Sequence, residues 1–171
     1  CRFQRVKNFY NNLAVAKLGN KWGVIDKQGE IVIDFQYTRL GNFKDNLAWA
    51  YTSKGVCYIN PENKQVIAAK FTKAFDFQNG LARVVAKGKY GLINSKGQYV
   101  IKPKYTFIEQ FDENGLAIVR FGQSRIRYGV INQSGNLITK HNYKQIRPFN
   151  EGLAAVKYKG NYGFINTKGD L

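Results

Sequence analysis

The chain has 171 residues, of which 44% are hydrophobic and 15% aromatic, so it carries enough apolar surface to form the core of a compact domain. This composition excludes a disordered chain, and the sequence lacks the run of about 18 apolar residues that predicts a membrane-spanning helix. Twenty-seven Lys and Arg against eleven Asp and Glu give a net charge of +16, which favours anionic partners such as nucleic acid, phosphorylated glycans or acidic lipid surfaces.

The chain begins with cysteine rather than methionine. A mature chain that starts at cysteine is what lipoprotein signal cleavage leaves, so Cys1 is a predicted lipidation site; the alternative is a fragment boundary that falls on this residue. The other cysteine, Cys57, lies in a strand-like run, and the single histidine is His141. Two cysteines and one histidine supply neither a disulfide framework nor a zinc ligand set, so no metal or cofactor is predicted.

The sequence repeats itself with a period of 34 residues. One isoleucine marks every repeat at steps of 34, 34, 38 and 34 residues: Ile25, Ile59, Ile93, Ile131 and Ile165. Three positions earlier stand Trp22, Val56, Tyr90, Tyr128 and Tyr162, each followed by glycine except in the second repeat, where Cys57 follows. A Leu-Ala pair recurs upstream, with its alanine at Ala14, Ala48, Ala82, Ala117 and Ala154.

Each repeat is predicted to form about three short strands. The segments "LARVVAK" and "YGLIN" are rich in β-branched and aromatic residues, and "GN" or "GK" between such segments predicts a first tight hairpin. The segments "DKQG", "NPEN", "NSKG", "NQSG" and "NTKG" have the chemistry of a type I turn followed by a left-handed residue, which predicts a second hairpin. A third extended segment follows, as in "EIVIDFQY".

We therefore predict an all-β fold of five tandem three-stranded repeats in a single domain over residues 1–171. The repeats begin near Phe9, Phe43, Phe77, Phe111 and Phe149. Residues 1–8 align with a third-strand segment, so they could complete the last repeat and close a propeller-like ring. The alternative is an open β-solenoid or hairpin array. Because it recurs in register, the Trp-Gly pair is interpreted as a packing element rather than an aromatic ligand site.

The segments "NKWGVIDKQGEIVI", "GKYGLINSKGQYVIKPKY" and "FNEGLAAVKYKGNYGFINTKG" resemble the bacterial WG-repeat family across essentially the whole chain. The second repeat departs most, because Val56-Cys57 replaces Trp-Gly and Asn63 replaces the turn glycine. The resemblance implies a β-repeat protein of bacteria, often at the cell envelope, that mediates interactions. It provides no catalytic residues.

Basic residues flank the first predicted hairpin of all five repeats. They are Lys17, Lys21, Lys54, Lys87, Lys89, Arg120, Arg125, Arg127, Lys157 and Lys159. Stacked or ring-arranged repeats would place these hairpins on one basic rim, which is predicted to bind an anionic partner; a merely solubilising surface is the alternative. Acidic residues instead precede the Leu-Ala pairs, at Asp45, Asp112, Glu113 and Glu151. The longer loop "RFGQSRIRY" of the fourth repeat interleaves arginines with apolar residues, and it is the strongest local candidate for a site that binds phosphates or carboxylates. The alternative is an ordinary elongated hairpin tip.

Enzymatic activity is not expected. His141 occupies an ordinary strand register without a nucleophile or acid motif beside it, and no phosphate-binding glycine loop is present. We predict a non-enzymatic scaffold of the bacterial cell envelope, outer-membrane-associated, periplasmic or extracellular, that docks a protein partner and no small-molecule substrate. It could be a lipoprotein subunit of a larger assembly, held at the membrane by a lipid on Cys1. The alternative is a binder of nucleic acid or another anionic polymer.

Overall fold

The computed structural model describes residues 2–140 and 142–171, and every regular element within them is a β-strand. No helix in this part of the chain has the length and hydropathy needed to cross a membrane. The strands are β1 (Arg5–Val6), β2 (Ala14–Leu18), β3 (Lys21–Ile25), β4 (Ile31–Tyr37), β5 (Ala48–Thr52), β6 (Gly55–Ile59), β7 (Gln65–Phe71), β8 (Lys73–Ala74), β9 (Leu81–Ala86), β10 (Lys89–Asn94), β11 (Tyr99–Tyr105), β12 (Phe107–Ile108), β13 (Leu116–Phe121), β14 (Arg127–Asn132), β15 (Gln145–Ile146), β16 (Leu153–Tyr158) and β17 (Asn161–Asn166).

These strands form five sheets, one for each sequence repeat, which confirms the predicted all-β repeat fold. The sheets have the orders β1-β2-β3-β4, β5-β6-β7, β11-β10-β9-β8, β12-β13-β14 and β15-β16-β17. The short first strands β1, β8, β12 and β15 were not predicted, because two residues are too few to show an alternating pattern. The predicted single domain, and the choice between ring and open array, stay predictions.

The first hairpin of each repeat joins the Leu-Ala strand to the Trp-Gly strand. In the first repeat Leu18 pairs with Lys21, so Gly19 and Asn20 make the turn as predicted. In the last repeat Tyr158 pairs with Asn161, so the turn residues are Lys159 and Gly160, one position earlier than the predicted Gly-Asn. Both of these residues have positive φ, 48° and 95°, as a type I′ turn requires.

The second hairpin has the predicted turn chemistry. In the first repeat the amide of Gly29 donates to the carbonyl of Asp26 at 3.1 Å, and Gly29 has φ 83°. The Asp26 carboxylate accepts from the amides of Gln28 and Glu30, each at 2.9 Å. The equivalent Asn side chains accept the same pair of amide bonds in the third and fifth repeats. A side chain that satisfies two turn amides explains why each of these segments opens with Asp or Asn.

A third tight turn, which we call the leading turn, precedes each Leu-Ala pair. In the second repeat Lys44 and Leu47 bond to each other through both amides, and Asp45 and Asn46 have φ 51° and 59°. Neighbouring leading turns are linked, because Asn11 donates to the side chain of Asn46 at 3.1 Å and the Gly80 amide donates to Asp45 at 2.7 Å. The acidic residues that precede the Leu-Ala pairs therefore include one that ties repeats together.

The contacts divide the chain into two units, residues 1–87 with 92–99 and residues 88–91 with 100–171. The first unit is held by clusters around Tyr58, Phe71 and Phe77 and around Val24, Leu40 and Ile59. The core of the second unit includes a cluster around Val130, Tyr143 and Ile165. The five repeated isoleucines are at most 4% exposed and the five repeated alanines at most 2%, as the packing interpretation predicted.

Candidate functional site

The basic residues singled out in the sequence all lie at one end of their sheets, which we call the hairpin end because the first hairpins form it. In the first unit, Lys17 and Lys21 flank the β2–β3 turn, while Lys54 and Lys87 occupy the turns after β5 and β9. The remaining residues belong to the second unit: Lys89, Arg120, Arg125, Arg127, Lys157 and Lys159. Those exposed to solvent are Lys21, Lys54, Lys87, Arg125 and Lys159, and the other five are half-buried.

Several of the half-buried cations lie against aromatic rings of their own sheet. Lys157 Nζ is 5.0 Å from the ring centroid of Tyr162, its cross-strand partner, and Tyr162 is 66% exposed. Arg120 lies 5.8 Å from the ring centroid of Phe107 on the neighbouring strand. Such contacts contribute about 0.5–1 kcal/mol each at exposed sites and keep the charged group at the surface.

The loop of the fourth repeat spans residues 122–126 between β13 and β14. Its Gly122 has φ 82°, and Arg125 and Ile126 are exposed at its tip. Arg127 donates from Nη1 to the carbonyl of Ile126 at 2.9 Å, so this guanidinium folds back on its own hairpin. The loop therefore presents mainly Arg125 to solvent, while the two flanking arginines make contacts within the sheet.

Three further basic residues reach the hairpin end and were missed in the sequence. Arg5 pairs with Lys17 across β1 and β2, Lys73 pairs with Val85, and the Arg39 carbonyl accepts from the Tyr51 amide. All three side chains are exposed. They recur at the 34-residue spacing of the repeat, and that register was the signal that could have found them.

Most of the acidic residues lie at the opposite end of the sheets, in the leading turns and second hairpins. They are Asp26, Glu30, Asp45, Glu62, Asp112, Glu113, Glu151 and Asp170. Several are engaged with turn amides, as at Asp112, whose carboxylate accepts from Asn114 and Leu116 at 2.9 Å. Within each described sheet, the first-hairpin turn itself carries no carboxylate.

A second group of functional side chains surrounds Lys7 in the first unit. Lys7 Nζ donates to the carbonyl of Leu40 at 2.7 Å and lies 5.2 Å and 5.6 Å from the rings of Trp22 and Trp49. The indole of Trp49 donates to Asp76 at 2.7 Å, and Asn42 donates to the same carboxylate at 2.8 Å. Burial lowers the pKa of Lys7, and the negative charge of Asp76 opposes this shift in part. The group links the first three repeats through polar contacts.

The chemistry of the remaining candidates is limited. Cys57 is buried, donates to the carbonyl of Ala50 at 3.6 Å, and has a pKa raised by burial. Among residues 2–140 and 142–171, no three His, Cys, Asp or Glu side chains are grouped so that they could hold a metal. Cys1, the predicted lipidation site, and His141 lie outside the described residues, so the prediction made for each stays a prediction.

The chain is similar in fold to several solved structures. The crystal structure of the eukaryotic initiation factor matches with a TM-score of 0.57 and 10% identity, over 99% of this chain and 53% of that one. Hsv2p of Kluyveromyces lactis matches with 0.57 and 11% identity, over 96% and 62% of the two chains. The N-terminal domain of Nup159 matches with 0.53 and 10% identity, over 97% and 61%. This chain thus spans less than two thirds of each of these β-propeller-like structures, and the likeness establishes the fold alone.

No curated protein matches the chain. The model of the WG containing repeat matches five consecutive segments, residues 1–22, 22–52, 58–90, 90–123 and 128–162. A β-fold built from such repeats suggests a protein-interaction module, and repeat modules of this family are typically non-catalytic. The five matched segments cover most of the sequence, and we conclude that the chain belongs to the WG containing repeat family.

Proposed function

We propose that this protein is a non-enzymatic interaction module that docks the acidic surface of a partner protein through its hairpin ends. The observation that supports this most is the separation of charge along the sheets. Every repeat carries Lys or Arg beside its first hairpin, whereas most carboxylates lie in the turns at the other end. A surface with one sign of charge attracts an oppositely charged partner over long range and speeds its association.

The proposed surface acts through many weak contacts. An exposed ion pair contributes only about 0.2–1 kcal/mol, so a single lysine would not hold a partner. Within each unit the repeat multiplies the contact, because each first hairpin presents an exposed cation: Lys21, Lys54 and Lys87 in the first unit, and Arg125 and Lys159 in the second. Binding of this kind weakens as salt rises, because exposed charges are screened over about 8 Å at physiological ionic strength.

A labelled polyglutamate peptide is a direct probe of this surface. The variant K21E/K54E/K159E reverses three exposed charges at hairpin ends, and K27E/K96E/K168E reverses three exposed charges in second-hairpin turns. The two variants have the same net charge. We expect the first to weaken peptide binding roughly tenfold more than the second at low salt. Equal weakening would show that only net charge matters and would reject the proposed surface.

The loop of the fourth repeat has its own test. The double variant R125E/R127E should weaken polyglutamate binding more than R125E alone only if the Arg127 guanidinium leaves the Ile126 carbonyl to reach the partner. We expect the single and double variants to differ little, because Arg125 is the arginine that the loop exposes. Unchanged binding in both variants would remove the loop from the proposed surface.

Binding of single-stranded nucleic acid is the second candidate function, and the exposed Tyr162 ring beside Lys157 favours it. A base could stack on such a ring while the ammonium approaches a phosphate, and stacking contributes about 1–3 kcal/mol per base. The variant Y162S should then weaken binding of a single-stranded oligonucleotide and leave polyglutamate binding unchanged. An oligonucleotide affinity that is insensitive to Y162S and to salt rejects this alternative.

An envelope location and a lipid on Cys1 complete the proposal and rest on the sequence. Intact mass of the protein isolated from its native host tests the lipid, since acyl chains add a large and characteristic mass. An unmodified amine on a native chain that starts at Cys1 would remove the lipoprotein part of the proposal and leave the interaction module unaffected.

A further inference from the structure

A small surface pocket lies between the leading turns of the first and second repeats. It has a volume of about 260 Å³ and is lined by Tyr10, Asn11, Phe43, Lys44, Asp45 and Asn46. At about 30 Å³ per water molecule, this space holds roughly nine waters, which is room for a small ring-shaped ligand. Both turns belong to the first unit and each is closed by its own backbone hydrogen bonds, so both walls of the pocket are present.

The pocket combines aromatic side chains with a fixed ammonium group. Phe43 is 3% exposed and Tyr10 is half-buried. Lys44 Nζ lies 4.6 Å from the centroid of the Tyr10 ring, a contact that holds the ammonium beside the pocket. Aromatic side chains give a ligand an apolar surface, and the ammonium gives it hydrogen-bond donors.

The two asparagines add a donor and an acceptor. Asn11 donates from Nδ2 to Asn46 Oδ1 at 3.1 Å. Asn11 Oδ1 and Asn46 Nδ2 have no protein partner among the described residues, so one acceptor and one donor group stay available. Asp45 accepts from the Gly80 amide through Oδ2 at 2.7 Å, which leaves its other oxygen for a ligand. The pocket therefore offers donors and acceptors side by side.

Asn46 stands where other repeats have glycine. The residue before the Leu-Ala pair is glycine in the last three repeats, at Gly80, Gly115 and Gly152, whereas the first two repeats have Asn12 and Asn46. Both asparagines have left-handed backbone, with φ 65° and 59°. Glycine adopts this conformation without the steric cost that a side chain brings. The second repeat thus keeps an amide at the pocket where glycine would relieve the backbone.

We propose that this pocket binds a sugar ring of a neutral glycan. Each sugar hydroxyl both donates and accepts a hydrogen bond, so neighbouring hydroxyls match a set of amide, carboxylate and ammonium groups. The C–H face of the ring is apolar and can cover an aromatic side chain. An anionic ligand would be attracted by Lys44 but repelled by Asp45, and a cationic ligand would meet the reverse, so a neutral ligand suits the pocket best.

The site is independent of the basic surface proposed above. The leading turns lie at the end of the sheets opposite the hairpin ends. A neutral glycan is not drawn to the chain by its net charge of +16, so its binding reports on the pocket and not on the basic residues. Failure of either proposal would leave the other unaffected.

The side-chain amide signals of Asn11 and Asn46 in two-dimensional NMR spectra of the nitrogen-labelled whole chain provide the test. The probes are maltotriose, lactose, mannobiose and diacetylchitobiose, each added up to about 20 mM because a pocket that holds a single ring binds weakly. We expect at least one probe to shift both signals in a saturable way. The amide signals of Asn79 and Asn114, in the leading turns of the third and fourth repeats, should not move.

The variant N46G separates binding from folding. It removes the amide from the pocket and introduces the residue that the last three repeats carry at this position, so the turn should still form. We expect a similar melting temperature and a glycan affinity roughly tenfold lower. The control N12G makes the same change in the first repeat, where the side chain does not line the pocket, and should leave the affinity unchanged.

Three outcomes would overturn the proposal. The first is that none of the four probes shifts the Asn11 and Asn46 signals. The second is that N46G and N12G change the affinity for a bound probe equally. The third is that glucuronate shifts these signals at lower concentration than glucose does, because the pocket would then select an anion rather than a neutral sugar.

Discussion

Gly23 and Gly163 occupy the same position of the repeat, but only Gly23 lies in close contact with a neighbouring strand. The backbone of β4 lies against Gly23, whereas nothing lies within 4 Å of the space that a Cβ atom at Gly163 would fill. The Trp-Gly signature therefore has its physical reason in the covering strand. Glycine is needed because a neighbouring backbone approaches closely, and the aromatic residue before it does not impose that need.

Two other repeats lie between these extremes. A Cβ atom at Gly129 would meet the side chains of Leu137 at 2.8 Å and Thr139 at 3.0 Å, which can move more easily than backbone. In the second repeat Cys57 replaces the glycine and is 2% exposed. The strand opposite Cys57 carries Ala68-Ala69 where the strand opposite Gly23 carries Asp34-Phe35, and Ala69 packs against the cluster that contains the thiol.

The largest difference between a covered and an uncovered repeat should appear when the residue after the glycine is truncated. L92A removes a side chain that is 0% exposed and should lower the free energy of unfolding by about 2–5 kcal/mol. F164A removes a side chain that is 62% exposed and should cost less than about 1 kcal/mol. Urea unfolding monitored by circular dichroism measures both. Similar losses in the two variants would mean that β17 is covered in solution.

Replacing each of these glycines by alanine should change the stability by an amount that depends on the atoms opposite the glycine. G23A and G91A force a methyl group against a carbonyl oxygen and should each destabilise by about 1–3 kcal/mol. G129A should cost less, because flexible side chains can yield. G163A should be neutral, or stabilising by up to about 1 kcal/mol through lower entropy of the unfolded chain. Thermal unfolding of the four variants gives the order, and a destabilised G163A would contradict this account.

The sequence predicted the parts of the fold that depend on local chemistry. The turn carboxylate of Asp26, the left-handed Gly29 and the buried Ala14 and Ile25 all follow from the repeat pattern, and the structure confirms them. The exposure of Phe164 does not follow from its own residues, which match the repeat pattern, but from the neighbouring strand, which is missing among the described residues. The group around Lys7 was not predicted for a similar reason, because the partners of Lys7 lie in other repeats.

The candidate surface was predictable to a similar degree. The basic hairpin residues follow from turn signals and composition, so their placement at one end of each sheet needs only the hairpins to form. Arg5 and Lys73 were missed because they lie in short first strands, which have no sequence signature of their own, and Arg39 was missed because it lies beside Leu40, whose pairing with Ala50 is an isolated bridge. Their spacing of 34 residues was visible in the sequence, but only the pairing of these segments with the Leu-Ala strands shows that they lie at the hairpin end.

The smallest expected effect concerns Cys57, whose thiol stands in the second repeat where the other repeats have glycine. Burial raises the pKa of Cys57 above its ordinary value of 9.0, so above that pH the unfolded chain loses this proton before the folded chain does. The folded state then binds more protons than the unfolded state, and stability falls as pH rises. The thiol contribution is present in full below about pH 9 and is lost through the folded pKa.

The variant C57A isolates this contribution, because alanine does not titrate and is the smallest side chain that keeps a Cβ atom at this position. The pKa of Tyr37 is also raised, first by burial and then by the charge of Cys57, so Tyr37 titrates in the same direction in both proteins and its own shift is smaller in C57A. We therefore expect the free energy of unfolding to fall more steeply between pH 8 and 10.5 in the wild type than in C57A, measured by urea unfolding at each pH. Parallel profiles would mean that the thiol is as solvated in the folded chain as in the unfolded one, and that the second repeat holds its covering strand more loosely than the first.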